Sequence, residues 1–115
     1  MFGSHVRQLR EGKKRWDRSF SVRQLAGRIG VEPAYLSKVE REVVPPPSEK
    51  KIARLARELG EDPDVLLSMA GKVSSDVLAI IRKRPRALAG LVRSLRSVSE
   101  RKIAAMSQPG KGGMK

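Results

Sequence analysis

Apolar residues recur at three- and four-residue intervals through most of this chain, and Gly, Pro and Ser cut the pattern into short blocks. That period is helical, because residues i, i+3, i+4 and i+7 share one face of a helix. Over residues 3–15, Val6 and Leu9 share a face among Arg7, Arg10, Lys13 and Lys14, with Ser4 placed to cap the helix. A polar connection from Arg15 to Phe20 follows, with Trp16 and Phe20 as its apolar anchors. Strand signals are weak: Val43-Val44 is the one β-branched pair of note, and three prolines follow it.

Residues 21–41, SVRQLAGRIGVEPAYLSKVER, read as two short helices around a tight turn. Ser21 and Gln24 match the capping box, in which the hydroxyl takes the Gln24 amide and the Gln side chain returns the bond. Val22, Leu25, Ala26 and Ile29 face inward, and Gly30 ends the helix where a left-handed backbone costs glycine little. Pro33 suits the first position of the next helix, because its missing N–H would be unpaired there anyway. Leu36 and Val39 point to the core, leaving Ala34, Tyr35, Ser37, Lys38 and Arg41 outside. This is a helix-turn-helix layout, whose second helix lies in the major groove of DNA.

Val43 to Pro47 form a stiff connector without helical capacity. Ser48 caps a fourth helix striped with Ile52, Leu55, Ala56 and Leu59 and closed by Gly60. Asp62-Pro63 restarts a short fifth helix carrying Val65, Leu66, Leu67 and Met69, which ends at Gly71. Ser74 caps a sixth with Val77, Leu78, Ile80 and Ile81, ended by the pre-proline Arg84. Pro85 opens a seventh with Leu88, Leu91, Val92 and Leu95 on one face. Glu100 to Met106 add a frayed turn, and the closing GKGGMK has the composition of a disordered tail. The expected organisation is a domain over 2–71, a helical extension over 72–106 and a basic tail over 107–115.

Charge sharpens this picture. The net charge is +13, and it is uneven: residues 1–81 hold fifteen Lys/Arg against eleven Asp/Glu, whereas residues 82–115 hold ten against Glu100 alone. A mildly basic body with a strongly basic end suits a polyanion. The absence of cysteine excludes disulfides and thiolate zinc sites and fits a reducing cytoplasm. No apolar run approaches the ~20 residues that span a membrane, and no signal peptide is legible.

HVRQLREGKK, SVRQLAGRIGVEPAYLSKVER, PPPSEKKIARLARELG and DPDVLLSMAG stand in an order and spacing that resemble the Xre/Cro-type helix-turn-helix family of phage repressors and many bacterial regulators. The resemblance covers about Phe2 to Gly71. It implies an all-α, five-helix, lambda-repressor-like domain, here followed by a C-terminal helical hairpin. It implies that Pro33–Glu42 is the recognition helix, that Ser21–Ile29 crosses the DNA backbone, and that a homodimer binds a palindromic operator with half-sites ~34 Å apart. On the matched positions, Pro33, Ala34, Tyr35, Ser37 and Lys38 face the groove, with Lys38 suited to guanine O6/N7 and the Ala34 methyl to a thymine methyl. Arg23 and Gln24 contact phosphate with help from the helix dipole, and Arg41 and Lys50 hold the backbone on the far side. Arg10 and Glu40 form a structural ion pair between the first and third helices. Two positions depart from the family pattern. Glu32, where the family often has Ser or Thr, repels phosphate unless it accepts from a cytosine amine or pairs with a cation. Arg15 to Ser19 lengthen the first connection, as an extra backbone contact or merely a longer loop.

Other chemistry is sparse. Tyr35 reads two ways, on DNA or as a ring covering the core with its hydroxyl outside. His5, the sole histidine, reads as a surface or helix-start residue, and Asp62 and Asp64 as helix caps rather than paired acids. No nucleophile–base set, metal-ligand cluster or phosphate-cradling glycine loop appears, so neither an enzyme nor a cofactor is expected. The Leu88, Leu91, Val92 and Leu95 stripe is ordinary core covering the same domain or a surface for a partner; with the first five helices already a complete unit, Val77, Ile81, Leu88, Leu91, Val92 and Leu95 read as a dimerisation surface. Arg82, Lys83, Arg84 and Arg86 are a solvated face or a further phosphate contact. The leading reading is a transcriptional regulator, most simply a repressor. The alternative is an antitoxin-like or protease-controlled interaction module with a toxin or metallopeptidase partner. RNA binding lacks the exposed aromatic platform that single-strand binders use.

Overall fold

The computed structural model describes residues 1–98, and every regular element among them is helical. The helices are α1 (Phe2–Lys14), α2 (Val22–Ile29), α3 (Pro33–Glu40), α4 (Glu49–Leu59), α5 (Pro63–Met69), α6 (Ser75–Lys83) and α7 (Pro85–Arg96), with a 3₁₀ turn at Arg18–Phe20 before α2. The chain divides after Ser75 into two compact units.

In the first unit, local chemistry sets most boundaries. The Ser21 hydroxyl accepts from the Gln24 N–H at 3.2 Å, that of Ser48 from Lys51 at 3.4 Å, and the Asp62 carboxylate from Asp64 at 2.8 Å. Gly30 and Gly60 end α2 and α4 at φ 76° and 72°. The buried faces of α1 to α5 meet in one core of Phe2, Val6, Leu25, Ala26, Ile29, Leu36, Val39, Ile52, Leu55, Ala56, Leu59, Leu66 and Leu67. Each buried Leu, Ile or Val contributes about 1.5–3 kcal/mol. Gly3 lets α1 meet the end of α3, because a Cβ there would lie 2.1 Å from the Val39 carbonyl oxygen.

Several local expectations are corrected. Met1, not Ser4, holds the N-cap position of α1; Ser4 lies inside the helix and its N–H donates to Glu42 at 3.0 Å. The capping box is half made, because the Ser21 N–H already donates to the Arg18 carbonyl and has no need of Gln24. Trp16 anchors nothing and is 90% exposed, whereas Phe20 packs against the core. His5 does lie at the helix start, in the first turn of α1, but it is half-buried and bonds Glu61 at 2.9 Å, joining α1 to the α4–α5 junction. Asp62 is the α5 cap, and Asp64 lies in that helix's first turn.

The second unit begins at Asp76 and holds the rest of α6 together with α7. Neither helix contains a buried residue. The frayed turn expected at Glu100–Met106 and the basic tail over 107–115 lie outside the described residues.

Candidate nucleic-acid interface

The turn between α2 and α3 is closed from two sides. Gly30 adopts the left-handed conformation, and the Val31 N–H returns to the Ala26 carbonyl at 3.0 Å, a Schellman ending. From α4, the Lys51 ammonium donates to the carbonyls of Ile29 at 3.2 Å and Gly30 at 3.0 Å. Three carbonyl groups at the end of α2 are thereby satisfied, and the angle between α2 and α3 is fixed. Nothing in the sequence pattern marks Lys51, because its partners are backbone atoms 21 and 22 residues away.

Leu36, Val39 and Glu40 are the buried positions of α3. Ala34, Lys38 and Arg41 are exposed, while Pro33, Tyr35 and Ser37 are half-buried. Tyr35 packs against the core with part of its surface, so its ring covers apolar side chains while the rest stays accessible. Glu32 occupies the α3 N-cap position and is exposed; its side chain caps nothing. The helix is shorter than the expected Pro33–Glu42. Arg41 is its C-cap and Glu42 turns left-handed at φ 61°, with the Val43 N–H returning to the Lys38 carbonyl at 2.9 Å. The Glu42 carboxylate accepts from the Ser4 N–H and from the amino group of Met1, which tie the helix end to α1.

Beneath this face lies the Arg10–Glu40 pair. Arg10 Nε donates to Glu40 Oε2 at 2.6 Å and Nη2 to Oε1 at 3.0 Å, while Nη1 donates to the Phe20 carbonyl at 3.1 Å. Arg10 and Glu40 are only 4% and 5% exposed. This planar, two-pronged contact holds α1, α3 and the approach to α2 in one arrangement. Above it opens a shallow cleft of about 160 Å³, lined by Arg7, Arg10, Val22, Ser37, Glu40 and Arg41. Side chains from α1, α2 and α3 thus share one surface. Sequence reasoning passed over Arg7 here, although its i, i+3 spacing from Arg10 places both on neighbouring turns of one helix side.

Arg23 and Gln24 are exposed on the first turn of α2, and Lys50 on that of α4. Among the described residues, Arg23, Lys38, Arg41 and Lys50 make no side-chain hydrogen bond or ion pair. Four cations around α2, α3 and α4 are therefore uncommitted. No group of three or more His, Asp or Glu suited to hold a metal ion occurs among the described residues, and none of their helices is long and apolar enough to cross a membrane.

No curated protein matches this chain. Among solved structures, it is similar to a chain of the SinR protein/SinI protein complex, at 22% identity and a TM-score of 0.50, with 96% of this chain and 95% of that one covered. That likeness concerns the all-helical fold. A family model described as a helix-turn-helix domain matches residues 1–68, more than half of the sequence, and the chain belongs to that helix-turn-helix domain family.

Proposed function

We propose that this protein is a sequence-specific regulator of transcription that binds duplex DNA as a homodimer and represses by occupying a palindromic operator. The observation that carries the reading is the outward face of α3: Ala34, Lys38 and Arg41 exposed and Ser37 half-buried above the Arg10–Glu40 pair. In a helix-turn-helix unit this face enters the major groove. Lys38 donates to guanine O6/N7, and Pro33, Ala34, Tyr35 and Ser37 line the groove edge with Glu32 at its start. Arg23 and Gln24 take phosphate beside the α2 N-terminus, near Arg7, which shares a cleft with Val22, and Arg41 and Lys50 take it on the other side. Lys38→Ala is expected to relax base preference in a competition between duplexes, and Arg23→Ala to weaken all duplexes alike. Normal affinity and preference in both variants would refute this docking.

Residues 72–106 serve dimerisation in this reading. Ile80 and Leu91 are 59% and 55% exposed, and Val92 and Leu95 are also exposed. Val77, Ile81 and Leu88 are half-buried. Amphipathic helices with no buried residue require a partner surface. A second reading gives that surface to another protein, as in an antitoxin-like or protease-controlled module with a toxin or metallopeptidase partner. It is favoured by one observation: the similar solved chain belongs to a complex of two named proteins. Deleting residues 72–115 separates the readings by whether self-association or capture of a different protein is lost while duplex binding persists.

A further inference from the structure

We propose that the connection between α1 and α2 is a second DNA contact, in which Trp16, with Lys14, Arg15 and Arg18, clasps the sugar–phosphate backbone beside α2. The inference rests on the duplex-binding reading above and assigns it a surface outside the helix-turn-helix.

The connection is held rigidly from behind. The Trp16 and Asp17 N–H groups donate to the Lys13 carbonyl at 3.1 and 3.0 Å. The Asp17 carboxylate accepts from the Ser19 N–H at 2.9 Å and the Ser19 hydroxyl at 2.7 Å. Arg28 Nη1 donates to the Ser19 carbonyl at 2.6 Å, and the buried Arg10 donates to that of Phe20. The Phe20 ring carries the Arg28 guanidinium at 4.8 Å and the Lys13 ammonium at 5.7 Å from its centroid. The backbone of the turn is thereby held, so the points from which its exposed side chains project are set.

What faces out is an indole flanked by cations. Trp16, the single tryptophan of the sequence, is the most exposed large apolar side chain described. Among the described residues, Lys14, Arg15 and Arg18 make no side-chain hydrogen bond or ion pair. Asp17 is the one acid between Glu11 and Glu32, and its carboxylate is taken up by Ser19. The surface therefore offers three free cations, and an indole N–H that can donate but not accept. A phosphate oxygen, which can only accept, matches both, and the ring supplies a flat face for a sugar.

Placement selects duplex DNA over other polyanions. The Arg18 carbonyl accepts the Ser21 N–H, so the cationic turn abuts the α2 cap and the first turn bearing Arg23 and Gln24. A single-strand binder needs a row of stacking rings, but Phe2 is buried and Phe20 and Tyr35 are half-buried. An interfacial membrane anchor needs an apolar helix face, and this connection exposes one apolar side chain, Trp16, because Phe20 packs against the core.

Because Trp16 is the only tryptophan, its emission reports this contact alone. The full-length chain is titrated with a labelled duplex at low ionic strength, while duplex anisotropy, tryptophan emission and acrylamide quenching are followed together. Saturation is expected to shift the emission and lower the quenching constant about twofold or more, as for an indole taken out of water. Trp16→Ala should weaken binding about three- to tenfold for every duplex, the worth of one hydrogen bond to a charged phosphate oxygen. Arg15→Ala and Arg18→Ala should each reduce the slope of log K against log salt by about 0.9. Rising anisotropy with unchanged emission and quenching, or unchanged affinity in Trp16→Ala, overturns the contact and leaves the helix-turn-helix reading standing. Emission that responds to phosphatidylglycerol vesicles and not to duplex overturns it in favour of a membrane surface. No duplex binding at all overturns both.

Discussion

The buried Arg10–Glu40 pair offers the sharpest energetic test of the architecture. Glu40→Gln keeps the shape but removes the charge and turns an amide N–H₂ toward a guanidinium that already only donates. The guanidinium remains at 5% side-chain exposure, with the Phe20 carbonyl and the single amide oxygen of the new Gln as acceptors and the exposed Glu11 carboxylate, 3.7 Å away, as its nearest opposite charge. Breaking a buried ion pair from one side costs up to about 3–5 kcal/mol, and an exposed carboxylate such as Glu11 offsets only a small part of it. A unit the size of residues 1–75 is stable by roughly 4–11 kcal/mol, so one substitution removes a large share of the total. Removing both charges is a different perturbation. Arg10→Met with Glu40→Leu fills the site with apolar volume and costs mainly the donor to the Phe20 carbonyl, about 1–2 kcal/mol. The double variant should therefore be more stable than Glu40→Gln alone. Urea unfolding followed by circular dichroism measures all of them, with the slope m checking that the unfolded states match. A loss below about 1 kcal/mol for Glu40→Gln, the size expected of an exposed pair, would refute the reasoning. So would a double variant whose loss equals the sum of the two single ones.

Three further outcomes are expected. Gly3→Ala should destabilise by about 1–3 kcal/mol or more through the clash with the Val39 carbonyl, while Gly12→Ala, with open space around it, should stabilise by up to about 1 kcal/mol; thermal melts compare the two signs. Leu91→Glu combined with Leu95→Glu should convert a dimer to a monomer in sedimentation equilibrium without lowering the melting temperature of the first unit, since neither side chain is buried. The hydrogen bond from His5, aided by the Asp62 N–H, holds the Glu61 carboxyl below its ordinary value of 4.5. The stability this contributes is complete above that value and is lost as pH falls through the lower folded-state value. Glu61→Gln should therefore lower the melting temperature at neutral pH and lose its effect in strong acid; an effect constant across that range would exclude the linkage.

What was legible in the sequence was what short-range chemistry decides. Ser21, Gly30, Pro33, Ser48, Gly60, Asp62-Pro63 and Pro85 each act on backbone groups within a few residues, so they place the helices before any packing is known. Leu25, Ala26, Ile29, Leu36 and Val39 are inward because helical spacing leaves them no other common face, and that also fixes which α3 residues remain outside. The misreadings share the opposite origin. Trp16 looked like an anchor because it is large and apolar, but Arg10 and Arg28 hold the connection by its carbonyls and leave the indole outside. The α3 helix ends before Glu42, which turns left-handed while its carboxylate is held by groups at the start of α1, about forty residues away. Lys51 closes the α2–α3 turn through backbone carbonyls that carry no sequence signature. The apolar stripes of α6 and α7 were plain in the pattern, but a pattern does not name the surface that covers them.

On the proposed docking, the outward face of α3 distinguishes base sequence in duplex DNA. Selection of bound fragments from a pool of random duplexes at low ionic strength tests it most directly. Enrichment of one motif made of two inverted half-sites about one helical turn apart is expected, with the motif lost in Lys38→Ala. Recovery of the pool without enrichment, or the same motif from Lys38→Ala, would contradict it.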